Sequence, residues 1–104
     1  MVKVGVSEAL DGVMRAIIEP GDEIIYHEPR FGAYPAVIKL AGGVPIPVPT
    51  YAKDNFRLTR EALEAAVTPK TKALLINFPC NPTGAVMPRE KLQAVAALAV
   101  KHDL

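Results

Sequence analysis

The sequence predicts an α/β protein, a three-layer arrangement in which a mainly parallel sheet carries helices on both faces. Three observations lead there. Helical and strand-like segments alternate three times, the pattern of βα units joined by right-handed crossovers. The run Ala73-Leu74-Leu75-Ile76 is apolar without polar alternation, as in a strand covered on both faces of a parallel sheet. In Val44-Pro45-Ile46-Pro47-Val48-Pro49 all three prolines share one parity. Alternate residues of an extended chain point their N–H groups to opposite edges, so the missing donors lie on one edge and Val44, Ile46 and Val48 pair on the other.

The elements follow in order. From Ser7, the residues Leu10, Val13, Met14 and Ile17 form a helical stripe, and Glu19-Pro20-Gly21 stops it, giving a helix over 7–19. Ile24, Ile25 and Tyr26 make a short β-prone run at 23–27, bounded by Pro20-Gly21-Asp22 and Glu28-Pro29. Tyr34, Val37, Ile38 and Ala41 repeat the helical spacing over 33–41, with Pro35 in the first turn and Gly42-Gly43 as the stop. The proline-bearing segment 44–48 is then an edge strand. Thr59 is placed to cap a third helix, with Leu58 and Leu63 in hydrophobic-staple positions, and Thr68-Pro69 closes it. The strand within 72–78 is expected to be central. Pro88 starts the last helix, whose predicted stripe is Leu92, Val95, Ala96 and Ala99. The expected sheet order is 44–48, 23–27, 73–76, all parallel.

Composition excludes several function classes. The 104 residues are 50% hydrophobic and 22% charged, so they describe one globular unit. No apolar run approaches the roughly 18 residues of a membrane-spanning helix, and no secretory leader is present, so a cytoplasmic location is expected. A net charge of +1 without a basic cluster argues against nucleic acid. One cysteine, Cys80, and two distant histidines, His27 and His102, offer neither a disulfide nor a metal-ligand pattern. A sheet of three strands whose most apolar member expects two covers reads as part of a larger protein.

Three segments could carry chemistry. Gly5-Val6-Ser7-Glu8 combines a glycine with a helix start, where free N–H groups and the helix dipole can hold a phosphate; Ser7 as an ordinary N-cap is the plainer reading. It is neither G-x-G-x-x-G nor a P-loop. Asn77-Phe78-Pro79-Cys80-Asn81-Pro82-Thr83-Gly84 is a rigid loop at the carboxyl end of a strand, where α/β sheets bind ligands, although Asn81 could simply satisfy its own turn. Phe31, just beyond the strand at 23–27, suits either core packing or stacking on a planar ligand.

Taken in order, Gly-x-Ser-Glu-Ala-Leu at 5–10, Pro-Gly-Asp-Glu at 20–23, Pro-x-Phe-x-x-Tyr at 29–34, Leu-Ala-Gly-Gly at 40–43, Thr-Pro-x-Thr-Lys-Ala at 68–73 and Asn-Pro-Thr-Gly at 81–84 resemble the fold-type I pyridoxal-phosphate enzymes. The resemblance is to the class I/II, aspartate aminotransferase-like family and spans the whole chain. It implies that Val6 and Ser7 give amides to the phosphate of pyridoxal 5′-phosphate with Glu8 close by, that Phe31 stacks on the pyridine ring, and that Asn81 bonds the ring hydroxyl. It further implies amino-acid and 2-oxo-acid substrates, a homodimer, and cis bonds at Asn81-Pro82 and Glu28-Pro29. Cys80 falls at a variable position and reads as a passive neighbour.

The departures matter equally. None of Lys3, Lys39, Lys53, Lys70, Lys72, Lys91 or Lys101 has the family's Schiff-base context, and the Asp facing the pyridine nitrogen, the Tyr near the ring hydroxyl and the Arg for the substrate carboxylate are absent. Residues 1–104 therefore read as one segment of an incomplete large, cofactor-binding domain, with no catalytic residue of its own. The turn at Gly5 is expected to lack a scaffold holding it opposite Phe31 and Asn81, so the chain alone should bind cofactor weakly, turn over nothing and self-associate. Two alternatives share the resemblance: a pyridoxal-phosphate-dependent carbon–sulfur lyase, and the non-catalytic effector domain of a transcription regulator.

Overall fold

The computed structural model of the chain describes residues 2–104. Its elements are α1 (Gly5–Ile17), β1 (Glu23–Glu28), α2 (Tyr34–Leu40), β2 (Val44–Pro49), a single 3-10 turn (Ala52–Asp54), α3 (Arg60–Ala66), β3 (Thr71–Leu75) and α4 (Arg89–His102). The three strands form one parallel sheet in the order β2-β1-β3. That is the expected neighbour order, but the expectation that 73–76 is central is corrected. β1 is the middle strand, and its Ile24, Ile25, Tyr26 and His27 are all buried. No residue of β3 is fully buried, because within this sheet it pairs with β1 alone.

The parity argument for β2 holds. The Val44 N–H bonds the Asp22 carbonyl at 2.8 Å and the Thr50 N–H bonds Glu28 at 2.8 Å, so even-numbered donors face β1 and the prolines face away. At the end of α2, Gly43 lets two helix-facing side chains meet the backbone. A Cβ there would stand 3.1 Å from the Ile18 and Ile38 methyls and 3.2 Å from the Asp22 carbonyl.

Each face of the sheet has its own core. Ile24 and Tyr26 pack with Met14 and Ile18, at and just beyond the end of α1, and with Tyr34, Val37 and Ile38 of α2. Ile25 and Val48 pack with Leu58, Leu63, Val95 and Leu98 under α3 and α4. The period-two alternation of β1 thus splits its side chains between two apolar layers. Burying each such aliphatic side chain contributes about 1.5–3 kcal/mol, so β1 anchors both layers.

Three helix features and one strand end differ from expectation. α1 begins at Gly5, so Ser7 is inside the helix and is not its cap. The face of α1 that packs uses Leu10, Met14 and then Ile18, leaving Val13 and Ile17 exposed. In α4, Val95 and Leu98 are buried while Leu92 and Ala96 are exposed, since turning Leu98 inward buries a larger side chain than either alanine would. β3 ends at Leu75, earlier than the predicted 78, because its pairing with β1 stops at Tyr26↔Leu75. The cap of α3 is as expected: Thr59 Oγ1 accepts the Ala62 N–H at 3.1 Å, and Leu58 and Leu63 are buried.

Candidate functional site

Parallel strands send their following loops out at one end of the sheet, where those loops surround whatever binds. β1 exits through Glu28-Pro29-Arg30-Phe31 and β3 through Ile76 to Gly84. The peptide bonds Glu28-Pro29 and Asn81-Pro82 are cis, as the family resemblance implies, and Phe78-Pro79 is cis as well. The second loop closes on its own backbone. Gly84 N–H donates to the Cys80 carbonyl at 2.7 Å, Cys80 N–H to Ala85 at 2.8 Å, and Ala85 N–H to Thr83 Oγ1 at 3.2 Å. The Asn81 side chain is not needed for that closure, and it stands exposed on the cavity side.

A cavity of about 470 Å³ lies between these loops and the start of α1, lined by Val6, Leu10, Phe31, Tyr34, Asn77 and Asn81 over a floor of Leu75 and Ile76. The structure therefore brings Val6, Phe31 and Asn81 to one wall-to-wall space, correcting the expectation that the Gly5 turn would lack a scaffold opposite the other two. The reason is the packing of α1 on α2, whose preceding loop carries Phe31. A groove of about 500 Å³ on the α3/α4 side, walled by Leu58, Phe78, Met87 and Lys91, holds none of the predicted site residues.

At the mouth, Gly5 takes φ +78°, a backbone turn into the helix that a side chain would strain. Val4 gives α1 no side-chain cap. The N–H groups of the first helical turn, Val6 and Ser7 among them, have no intrahelical acceptor and carry the positive end of the dipole. Ser7 is exposed and does not line the cavity. The Glu8 carboxylate accepts the Val4 N–H and lies 3.7 Å from the Lys3 ammonium, so it sits on the helix start itself.

Phe31 is half-buried and meets Tyr34 edge to face. Burial raises the Tyr34 hydroxyl above its ordinary pKa; a hydrogen bond with the Asn77 side chain opposes the rise and neighbouring Cys80 adds to it. Tyr34 and Asn77 belong to the quoted segments but received no role from the sequence. Asn77 was detectable as the first polar residue after an apolar strand, at its carboxyl end. Tyr34 was not, because its helical spacing reads as core. Among the described residues no cluster of metal-ligating side chains exists, and no helix is long and apolar enough to cross a membrane.

Known proteins share this fold. All of residues 1–104 match the family described as aminotransferase class I and II. The aspartate/prephenate aminotransferase of Thermus thermophilus is 47% identical over 103 residues, covering 99% of this chain and 27% of that protein. The aspartate aminotransferase of Pyrococcus abyssi is 45% identical over 104 residues, again 27% of its length. Among solved structures, an aromatic aminotransferase from Pyrococcus horikoshii superposes with a TM-score of 0.96 at 44% identity, covering 100% of this chain and 28% of that one. The chain thus spans about a quarter of the length of these relatives. With a match from its first residue to its last and the fold shared throughout, the chain belongs to the class I and II aminotransferase family.

Proposed function

We propose that the protein carrying this chain is a pyridoxal 5′-phosphate-dependent aminotransferase that moves an amino group between an amino acid and a 2-oxo acid, acting as a cytoplasmic homodimer. One observation supports the reading most: Val6, Phe31 and Asn81, from three segments far apart in sequence, line one cavity. That cavity combines an uncapped helix start, an aromatic ring and two amides over an apolar floor, which suits a flat, phosphorylated heteroaromatic ligand.

When bound, the cofactor supplies the electron sink for breaking a bond at the substrate α-carbon. This chain's residues bind and orient. The Val6 and Ser7 N–H groups at the helix start would hold the phosphate, with the Ser7 hydroxyl available beside them. Glu8, which accepts the Val4 N–H, would put a second negative charge at the helix start that receives the phosphate. Phe31 would stack on the ring, Asn81 would hydrogen-bond the ring hydroxyl, and Leu10, Leu75 and Ile76 would exclude water from below.

Among the described residues no lysine lines the cavity, so the chain by itself offers positioning without a covalent anchor. The test is to titrate the chain with pyridoxal phosphate, reduce with borohydride and map adducts by peptide mass. Weak saturable binding, lost in Phe31→Ala and Asn81→Ala, with only scattered lysine adducts and no amino-group transfer, is the expected result. Binding indifferent to both substitutions would remove the site. A single stoichiometric adduct with transfer would show that the chain holds a catalytic lysine after all.

A further inference from the structure

His27 is a buried titratable side chain that the proposed chemistry does not use. It is 2% exposed, on the face of β1 that packs under α3 and α4. Its ring stacks on Phe78 with centroids 4.9 Å apart and planes 19° from parallel. Its Nε2 accepts the Asn77 backbone N–H in a long hydrogen bond of 3.4 Å. Pairing between β1 and β3 has already ended at Tyr26↔Leu75, so a side chain takes over where the ladder stops. Both residues that His27 engages open the loop leading to Asn81, and Asn77 and Asn81 line the cavity.

We infer that His27 is a positioning residue: its neutral ring, wedged against Phe78 and beneath the Asn77 N–H, fixes the path by which the chain leaves β3 and so where Asn77 and Asn81 stand on the cavity wall. That this wall receives pyridoxal phosphate rests on the reading above; the placement of the loop does not. Accepting from an N–H requires a lone pair on Nε2, which puts the ring proton on Nδ1. Close by, the Cys80 thiol faces the Pro29 carbonyl at 3.6 Å. The chain leaving β3 is thereby tied to β1 through His27 and to the loop after β1 through Cys80.

Protonation would place a second hydrogen on Nε2, donor against donor, and strand a charge in an apolar layer. Among the described residues no carboxylate pairs with the ring. β2 contributes only valine, isoleucine and proline, and α3 and α4 present Leu63, Val95 and Leu98. Lys72 of β3 is exposed. On β1, Tyr26 and Glu28 alternate to the other face, and Glu28 lies 3.4 Å from Arg30. Burial accordingly lowers the His27 pKa below its ordinary value.

The test uses the full chain with 15N-labelled imidazoles, assigned with His102→Gln, since His27 and His102 are the two histidines. Nε2 of His27 should be unprotonated and Nδ1 protonated at neutral pH, with a midpoint below that of an exposed histidine. The Asn77 and Asn81 amide signals should move with that same midpoint. His27→Leu should shift both amides at every pH and weaken pyridoxal phosphate about fivefold, the worth of one lost constraint. His27→Gln, an acceptor that does not titrate, should restore most of the affinity and abolish the pH dependence; it and the wild-type titration decide the matter if the leucine variant does not fold. A proton on Nε2 at neutral pH, or amides indifferent to His27, would overturn the inference. Expected imidazole and amide behaviour without any cofactor binding by the wild type would support the positioning role and overturn the cofactor reading instead.

Discussion

The rings of Phe31 and Tyr34 meet edge to face, with centroids 6.0 Å apart and planes at 71°. Tyr34 meets Tyr26 in the same manner at 6.4 Å and 76°, and the Arg30 guanidinium lies 5.8 Å from the Tyr26 ring centre. This series joins the buried middle of β1 to the cavity wall. Phe31 is held by this packing, which keeps a stacking surface in place before any ligand arrives.

That relationship separates two roles of Tyr34. Tyr34→Ala removes a ring that is 4% exposed and should cost about 3–5 kcal/mol of stability, the range for truncating a buried aromatic. Tyr34→Phe keeps the edge-to-face contacts and loses only the hydrogen bond with Asn77, for about 1 kcal/mol. Urea unfolding of both variants checks this; equal losses would mean that the hydroxyl, not the ring, supports Phe31.

Gly43 should resist even one added methyl group. A Cβ there meets two methyl groups and a carbonyl at 3.1–3.2 Å, all inside the packed layer under α2, so Gly43→Ala should destabilise by about 1–3 kcal/mol. Gly32 has nothing within 4 Å of the same position, and Gly32→Ala should lie within about 0.5 kcal/mol of the wild type. Thermal melts of the pair would show whether close packing decides, as argued, or backbone freedom does.

The proline parity of β2 makes opposite predictions for adjacent residues. Pro47→Ala adds a donor on the edge facing away from β1 and should leave stability nearly unchanged while raising self-association, because an edge donor is restored. Ile46→Pro deletes a donor facing β1 and should cost about 3 kcal/mol or more. Sedimentation velocity and chemical denaturation read the two effects apart. Self-association of the wild-type chain is expected through β3, which has one paired edge in this sheet.

Glu64 of α3 links to α4 through Lys101 at 2.6 Å, with Arg60 at 3.6 Å beside it. Hydrogen bonding to Lys101 and the nearby positive charges hold its pKa below the ordinary 4.5. A folded-state pKa below the unfolded one means that the stabilisation is complete above the ordinary carboxylate value and is lost as pH falls through the folded-state value. The network is exposed, so the effect should be small and vanish in high salt. Denaturation midpoints of Glu64→Gln and wild type should therefore differ most at neutral pH and low salt, and converge in acid.

Much of the fold was legible because it follows from local rules acting on single segments. The parity of Pro45, Pro47 and Pro49 determined which edge of β2 could pair, and Thr59 with Leu58 and Leu63 determined where α3 begins. The apolar runs at 24–26 and 73–75 determined two strands, and the spaced motifs from Gly5 to Gly84 determined the family. What the sequence left open depended on which neighbours came to lie alongside. α1 and α4 offered more apolar residues than one face can bury, so packing against the sheet decided that Met14, Ile18 and Leu98 turn inward while Ile17 and Leu92 stay outside. The most apolar strand was not the middle one, since a strand's place is set by how many partners it finds. Phe31, Val6 and Asn81 could each be named from the sequence, but their meeting in one cavity required α1 to pack on α2. His27 gave no signal at all: a lone histidine in a strand acquires its role only when the chain leaving β3 brings the Asn77 N–H to its ring, a contact across fifty residues that no local pattern encodes.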